Sequence, residues 1–379
     1  MRKFLHIILV IIALIVLKSG FYVASAQNDI TIGANIRPSY VMPTHGFYNG
    51  WNASGKAIRT GSTFDLQLGI SDPSRAVYQG VGTAIHTFFA HDMLGTPATL
   101  YVFQGAPLAS VTDRLAFGYE WNLGISAGWK NNGVVTASPL NVYINVAALF
   151  TWRISKYWDM VFGPEYTHFS NGDTTFPNGG ANTINFRLGA KRHLRPSGDI
   201  SVENVFDLDG LDQTFWERMS YDVSIYGGYR ADRSVSGYGF KIFNDPFPVF
   251  ALNVNPLYNV NEYIAIGPSI DLLYDRSANL IVSEDSYSYP SFDRQMAMGI
   301  SARAELQMPV FAINIGIGYS SQLGNYTRYK DNDLNAIYGM FALKAFVTER
   351  MFLNVSYRLS SVLYSHNLMF GLGWRFGTI

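Results

Sequence analysis

No cysteine occurs among the 379 residues, which excludes disulfides, thiolate metal sites, a cysteine nucleophile and a lipidated cysteine anchor. Neither sign of charge is in excess: 28 basic and 28 acidic side chains cancel. Without a cationic surplus for phosphate backbones, nucleic acid is not an expected partner. Charge itself is scarce, at 15% of residues, against roughly 25% in soluble domains. Beyond residue 26 there is no run of about 18 apolar residues, the length a helix needs to cross a hydrocarbon core of roughly 30 Å. Helix-period patterning is almost absent as well. The seven histidines lack metal-ligand spacing, so no zinc is expected.

What the chain does have begins with an export signal. Arg2 and Lys3 form a positive start, Phe4 to Leu17 an apolar stretch, and Ala24-Ser25-Ala26 a small-residue cleavage site, so residues 1–26 read as a signal peptide and the mature chain as starting at Gln27. Aromatics reach 15%, with 24 Tyr and 26 Phe beside 35 Gly. From there on the repeat is period two. Phe64, Leu66, Leu68 and Ile70 alternate with Asp65, Gln67 and Gly69, the pattern of a strand with one apolar face. Comparable segments recur along the chain, many of them about ten residues long, the length a strand needs to span a bilayer.

Connections decide between a soluble β protein and a transmembrane barrel. Asp72 to Arg75, Ser110 to Asp113, Ser155-Lys156, Asn259 to Asn261, Gln307-Met308 and Thr348 to Arg350 are short. Between them lie longer polar segments near 41–61, 91–97, 130–139, 171–182, 276–292 and 321–334. Alternating short and long loops are the periplasmic-turn and extracellular-loop asymmetry of an outer-membrane barrel. Leu368, Phe370, Leu372, Trp374 and Phe376 alternate in the last strand, resembling the C-terminal signal of such barrels. Tyr157, Trp158, Tyr357 and Trp374 near strand ends read as interface anchors. The fold class expected is all-β, a transmembrane antiparallel β-barrel of about 14 to 16 strands, with residues 27–379 forming a single outer-membrane β-barrel domain. One segment resists: residues 194–215, with Pro196, Gly198 and the acidic run Asp207 to Asp212, should be a short turn but are long. An extra strand pair including Ile200 to Phe206 is one solution. The loops at Asp207 to Asp212 and Asp331 to Asp333 lack calcium-ligand spacing and read as solvated.

Chemistry concentrates around residue 168. In Tyr157 to Ser170, Trp158, Met160, Phe162, Pro164, Tyr166, His168 and Ser170 share the apolar face, whereas Asp159, Glu165 and Thr167 lie on the other. His168 and Ser170 thus face lipid at the strand end that enters a long loop, where polar groups are costly unless used. On the next strand Ile184, Phe186, Leu188 and Ala190 face lipid, which puts Asn182 on the same face across from the pair. A serine alcohol needs a neighbouring base to take its proton, and a histidine base works best when a third group fixes its tautomer. His168, Ser170 and Asn182 supply those residue types.

The His-x-Ser-Asn-Gly stretch, the Pro177-Asn178-Gly179-Gly180 loop and the following Asn-Phe-Arg-Leu-Gly strand resemble the PagL family of outer-membrane lipid A deacylases, the acyloxyacyl hydrolases, over about residues 115–193. That resemblance implies hydrolysis of an ester-linked acyl chain of lipid A, with lipopolysaccharide of the outer leaflet as partner and no cofactor. Ser170 would be the nucleophile and His168 the general base, with Asn171 and the backbone near Gly172 helping to hold the oxyanion. The family's glutamate falls at Asn182, which orients a histidine without stabilising imidazolium by charge. Glu165 is close in sequence but is turned to the lumen by strand alternation. The alternative readings are a porin-like barrel whose lumen passes solutes, with the His-x-Ser pair incidental, and a structural barrel whose loops bind partners.

Overall fold

The structure, a computed structural model, describes residues 29–72, 77–196, 213–236, 239–283, 286–307, 311–324, 336–360 and 365–377. The signal segment 1–26, the acidic run Asp207 to Asp212, the suggested strand at Ile200 to Phe206 and Asp331 to Asp333 lie outside the described residues.

Among the described residues eighteen strands follow one another: β1 (Asp29–Val41), β2 (Thr60–Asp72), β3 (Val77–Thr87), β4 (Gly95–Thr112), β5 (Leu115–Trp129), β6 (Leu140–Ser155), β7 (Trp158–Ser170), β8 (Ala181–His193), β9 (Met219–Ser236), β10 (Gly239–Asn259), β11 (Ile264–Asp275), β12 (Ile281–Val282), β13 (Tyr287–Ser288), β14 (Met296–Gln307), β15 (Phe311–Gln322), β16 (Ala336–Phe346), β17 (Met351–Ser360) and β18 (Ser365–Gly377). All neighbours pair antiparallel. β12 and β13 form a small ladder of their own within the β11–β14 connection.

The expected single barrel of 14 to 16 strands is corrected. The sixteen long strands close as two barrels of eight, β1 to β8 and β9 to β18 without the small ladder. In the first, β8 turns its free edge back onto β1, with Ile36 opposite Leu188 and Ala34 opposite Ala190. In the second, β18 closes on β9, with Leu372 opposite Ile225. The chain accordingly divides into two compact units, residues 1–171 with 177–207 and residues 172–176 with 208–379. Of the segment 194–215 that did not fit a turn, residues 197–212 lie outside the described residues.

Both barrels are inside out relative to a soluble protein. In the first, Ile32, Ile36, Phe64, Leu66, Leu68, Ile184, Phe186 and Leu188 are exposed on the outer face. Asn35, Arg37, Asp65, Gln67, Glu120, Asn145, Glu165 and Arg187 are buried inside. An eight-stranded barrel is just wide enough for side chains to fill it. Arg187 Nη1 reaches Glu120 Oε1 at 2.6 Å and its guanidinium meets Glu165 Oε2 at 2.9 Å. Arg37 Nη2 pairs with Asp65 at 2.8 Å and donates from Nη1 to the Tyr143 hydroxyl at 2.9 Å. The second lumen is filled in the same manner: Lys344 bridges Asp222 and Glu305, Arg375 grips the same two carboxylates, and Arg303 pairs with Asp271 at 3.0 Å. Paired charges satisfy one another where unpaired ones would be very costly.

Outward aromatics mark the strand ends, as expected for anchors at a membrane interface. Tyr157, Trp158, Trp374 and Phe376 are all exposed.

Candidate active site

The site is built by the β7–β8 pair at the end of the first barrel that carries its longer connections. Cα register sets His168 opposite Asn182 and Thr167 opposite Thr183. Period two then sets Tyr166, His168 and Ser170 on the outward side and Glu165, Thr167 and Phe169 on the inward one, with Tyr166 exposed, His168 half-buried and Ser170, at the strand end, buried. Phe169, between the two outward residues, is buried against the rings of Trp129 and His86, each 5.0 Å away, and Tyr143 at 5.4 Å. This aromatic packing pins the backbone that presents His168 and Ser170.

The three expected side chains meet. His168 Nε2 lies 3.0 Å from Ser170 Oγ, and its Nδ1 lies 2.7 Å from Asn182 Oδ1. With Asn182 Oδ1 accepting, Nδ1 carries the hydrogen and Nε2 is left as the acceptor for the serine hydroxyl. Asn182 has two further partners. The Tyr166 hydroxyl donates to Oδ1 at 2.6 Å, and Asn182 Nδ2 donates to Thr44 Oγ1 at 3.3 Å. Its backbone carbonyl accepts from Met42 N–H at 2.9 Å. Asn182 is therefore held by β7 on one side and by the β1–β2 connection on the other.

The loop after Ser170 explains the Pro-Asn-Gly-Gly segment. Asn178 Oδ1 accepts from the backbone N–H of Asn171 at 3.1 Å. Gly172 and Gly180 take left-handed φ of 66° and 59°, where a side chain would be strained. A Cβ on Gly180 would also sit 2.6 Å from the Phe169 carbonyl oxygen. The Gly180 carbonyl accepts from Tyr48 Oη at 2.6 Å, and its N–H donates to Val135 O at 3.2 Å. The Asn171 N–H, one of the groups expected near an oxyanion, is bonded to Asn178.

Glu165 is not in this site. It faces the lumen, bonded to Arg187 and lying 3.5 Å from Arg37 Nε, as its place in the alternation requires. His193 also serves the lumen and not this site: it is clasped between Asp29 and Asp159 at the end with short turns. Among the described residues there is no group of three or more His, Asp or Glu side chains placed to hold a metal. Tyr166 and Thr44 were not singled out from the sequence, and Asn178 only as part of its loop. Period two already put Tyr166 on the outward face, whereas nothing local linked Thr44 to Asn182.

Fold and surface together define an outward-apolar, lumen-filled β-barrel protein of the outer-membrane type, with a polar His–Ser–Asn chain on its outer face. Residues 219–378 match the family model "Acyloxyacyl hydrolase, C-terminal domain". The match supports the resemblance to the PagL-type family over that part of the chain. It covers the second barrel, whereas the motif lies in the first.

No curated protein matches the chain. Solved structures with which it aligns include CdiB from Acinetobacter baumannii, 8% identical over 92% of this chain and 60% of that one, with a TM-score of 0.22. The FrpB iron transporter from Neisseria meningitidis is 9% identical over 93% and 71% respectively, with a TM-score of 0.25. The siderophore receptor PirA from Pseudomonas aeruginosa is 8% identical over 92% and 80%, also with a TM-score of 0.25. The chain spans three-fifths of the length of CdiB. At such scores these alignments carry no functional argument.

Proposed function

We propose that the first barrel is a serine esterase that removes an ester-linked acyl chain from lipid A in the outer leaflet, after export directed by residues 1–26. The observation carrying this reading is the continuous Ser170–His168–Asn182 hydrogen-bond chain on the apolar outer surface. A polar chain there suits a substrate whose ester lies at the boundary of headgroup and hydrocarbon.

In this reading Ser170 Oγ attacks the ester carbonyl carbon while His168 Nε2 takes the hydroxyl proton. Asn182 Oδ1 accepts from Nδ1–H throughout and keeps the imidazole in plane. The oxyanion is held by the Gly172 N–H and the Asn171 amide. Collapse breaks the ester C–O bond, and imidazolium returns its proton to the departing sugar-linked oxygen. Water, deprotonated by the same imidazole, then attacks the acyl-serine; its collapse releases the fatty acid and restores Ser170.

A transport reading is not favoured, because Arg37, Glu120, Glu165 and Arg187 cross the first lumen and Asp222, Glu305, Lys344 and Arg375 the second. The test is mass spectrometry of lipid A from cells expressing the protein or a Ser170→Ala variant inserted to the same level. Loss of one acyl mass that vanishes with Ser170→Ala is expected. Unchanged lipid A in both would overturn the reading.

A further inference from the structure

Asparagine in place of a carboxylate creates a problem that Tyr166 addresses. A carboxylate can only accept, so it forces the hydrogen onto Nδ1 of a histidine beside it. An amide can turn about its terminal torsion and present either oxygen or NH2 to the ring. With the oxygen presented, Nε2 accepts from Ser170 and the serine is poised. With NH2 presented, Nδ1 becomes the acceptor, Nε2 carries the hydrogen, and the ring donates to Ser170 instead of drawing its proton.

Two hydroxyls touch the amide: Tyr166 at 2.6 Å on the oxygen and Thr44 at 3.3 Å on the nitrogen. An aliphatic hydroxyl donates and accepts with similar ease, and the Thr44 contact is long, so Thr44 tolerates either orientation. A phenol is different, since delocalisation of its lone pair into the ring makes it a strong donor and a poor acceptor. The short Tyr166 contact therefore favours oxygen at the position it shares with His168 Nδ1.

We infer that Tyr166 is a positioning residue which, through the Asn182 amide, selects the Nδ1–H tautomer of His168. Its consequence for rate rests on the esterase reading, whereas the tautomer itself does not. The ring is exposed on the outer face, where an interface aromatic needs no hydroxyl partner on the protein, so loss of the oxygen alone separates this role from anchoring.

The test is the histidine tautomer, read by long-range 1H–15N NMR of the full chain in detergent micelles, with the His168 signals identified by their loss in His168→Gln. Wild type is expected to show Nδ1–H at His168, and Tyr166→Phe to populate Nε2–H. In an Asn182→Glu background Tyr166→Phe should leave the tautomer unchanged. On lipid A in mixed micelles Tyr166→Phe should lower kcat about three- to tenfold at constant KM, the range set by one neutral hydrogen bond. Nε2–H in wild type, or a tautomer indifferent to Tyr166→Phe, would overturn the inference. A tautomer that responds while wild type cleaves no lipid A supports the positioning role and sinks the esterase reading instead.

Discussion

Asn182→Asp is the most informative single change, because it adds a charge at nearly constant shape and loses only the long donation from Nδ2 to Thr44 Oγ1 at 3.3 Å. Asparagine and aspartate are isosteric, so the new carboxylate oxygen would sit where Oδ1 now lies, 2.7 Å from His168 Nδ1. In the proposed esterase reaction the transition state places the serine proton and a positive charge on His168, with its centre about 4 Å from the carboxylate. Two unit charges at that distance attract by about 1 kcal/mol in bulk water and about 4 kcal/mol at an effective dielectric of 20. His168 is half-buried on an apolar face, which places the gain between these limits. Part of it is offset by desolvation of the carboxylate in the resting enzyme. A net 1–3 kcal/mol corresponds to a rise in kcat of about 5- to 150-fold. The assay is single-turnover release of fatty acid from lipid A in mixed micelles, with KM followed separately. An unchanged or lower kcat, in a variant that folds like wild type, would refute the idea that the missing charge limits the reaction.

Removing Arg187 leaves Glu120 and Glu165 buried without their main counter-charge, so Arg187→Met should destabilise the first barrel by about 3–5 kcal/mol. Urea unfolding in detergent would measure this, and adding Glu120→Gln and Glu165→Gln should recover most of the loss. Asn178→Ala frees the backbone N–H of Asn171 and loosens the segment behind Ser170. A fall in kcat of about threefold to tenfold with little change in KM is expected from one lost hydrogen bond, and a change confined to KM would argue against it. His45, in the β1–β2 connection, accepts from Phe47 N–H at 3.0 Å, and burial holds its imidazole below the usual range. Its folded form therefore binds fewer protons than the unfolded one, so this clamp is intact above a pH of about 6.5 and weakens as pH falls below it. Hydrogen exchange over residues 42–58, with labelling times matched for intrinsic rate, should show faster opening toward pH 5. In His45→Asn, which keeps an acceptor without titrating, that dependence should disappear.

Much of the site was legible before any tertiary structure. A strand turns alternate side chains to opposite faces, so composition alone sorted Tyr166, His168 and Ser170 from Glu165 and Thr167. The same rule put Asn182 on the outer face of β8, and cross-strand register then brought it to His168. The closure of the sheet was not legible, since an outward-apolar strand looks the same in one barrel of sixteen as in two of eight. What decided it is where a free edge finds its partner: β8 meets β1 far along the chain, from Val41 opposite Thr183 to Thr31 opposite His193. The large paired charges such as Arg37, Glu120, Glu165 and Arg187 are the physical trace of that choice, because only a narrow lumen lets them reach one another.

The sequence by itself determined the strand periodicity, the inside-out surface and the His168, Ser170 and Asn182 constellation, because each depends only on neighbours within a strand or hairpin. The tertiary structure alone decided the two closures, the Tyr166 and Thr44 contacts to Asn182 and the capture of Asn171 N–H by Asn178. Those depend on side-chain rotamers and on segments far apart in the chain, whose meeting is set by the closed sheet and not by local pattern.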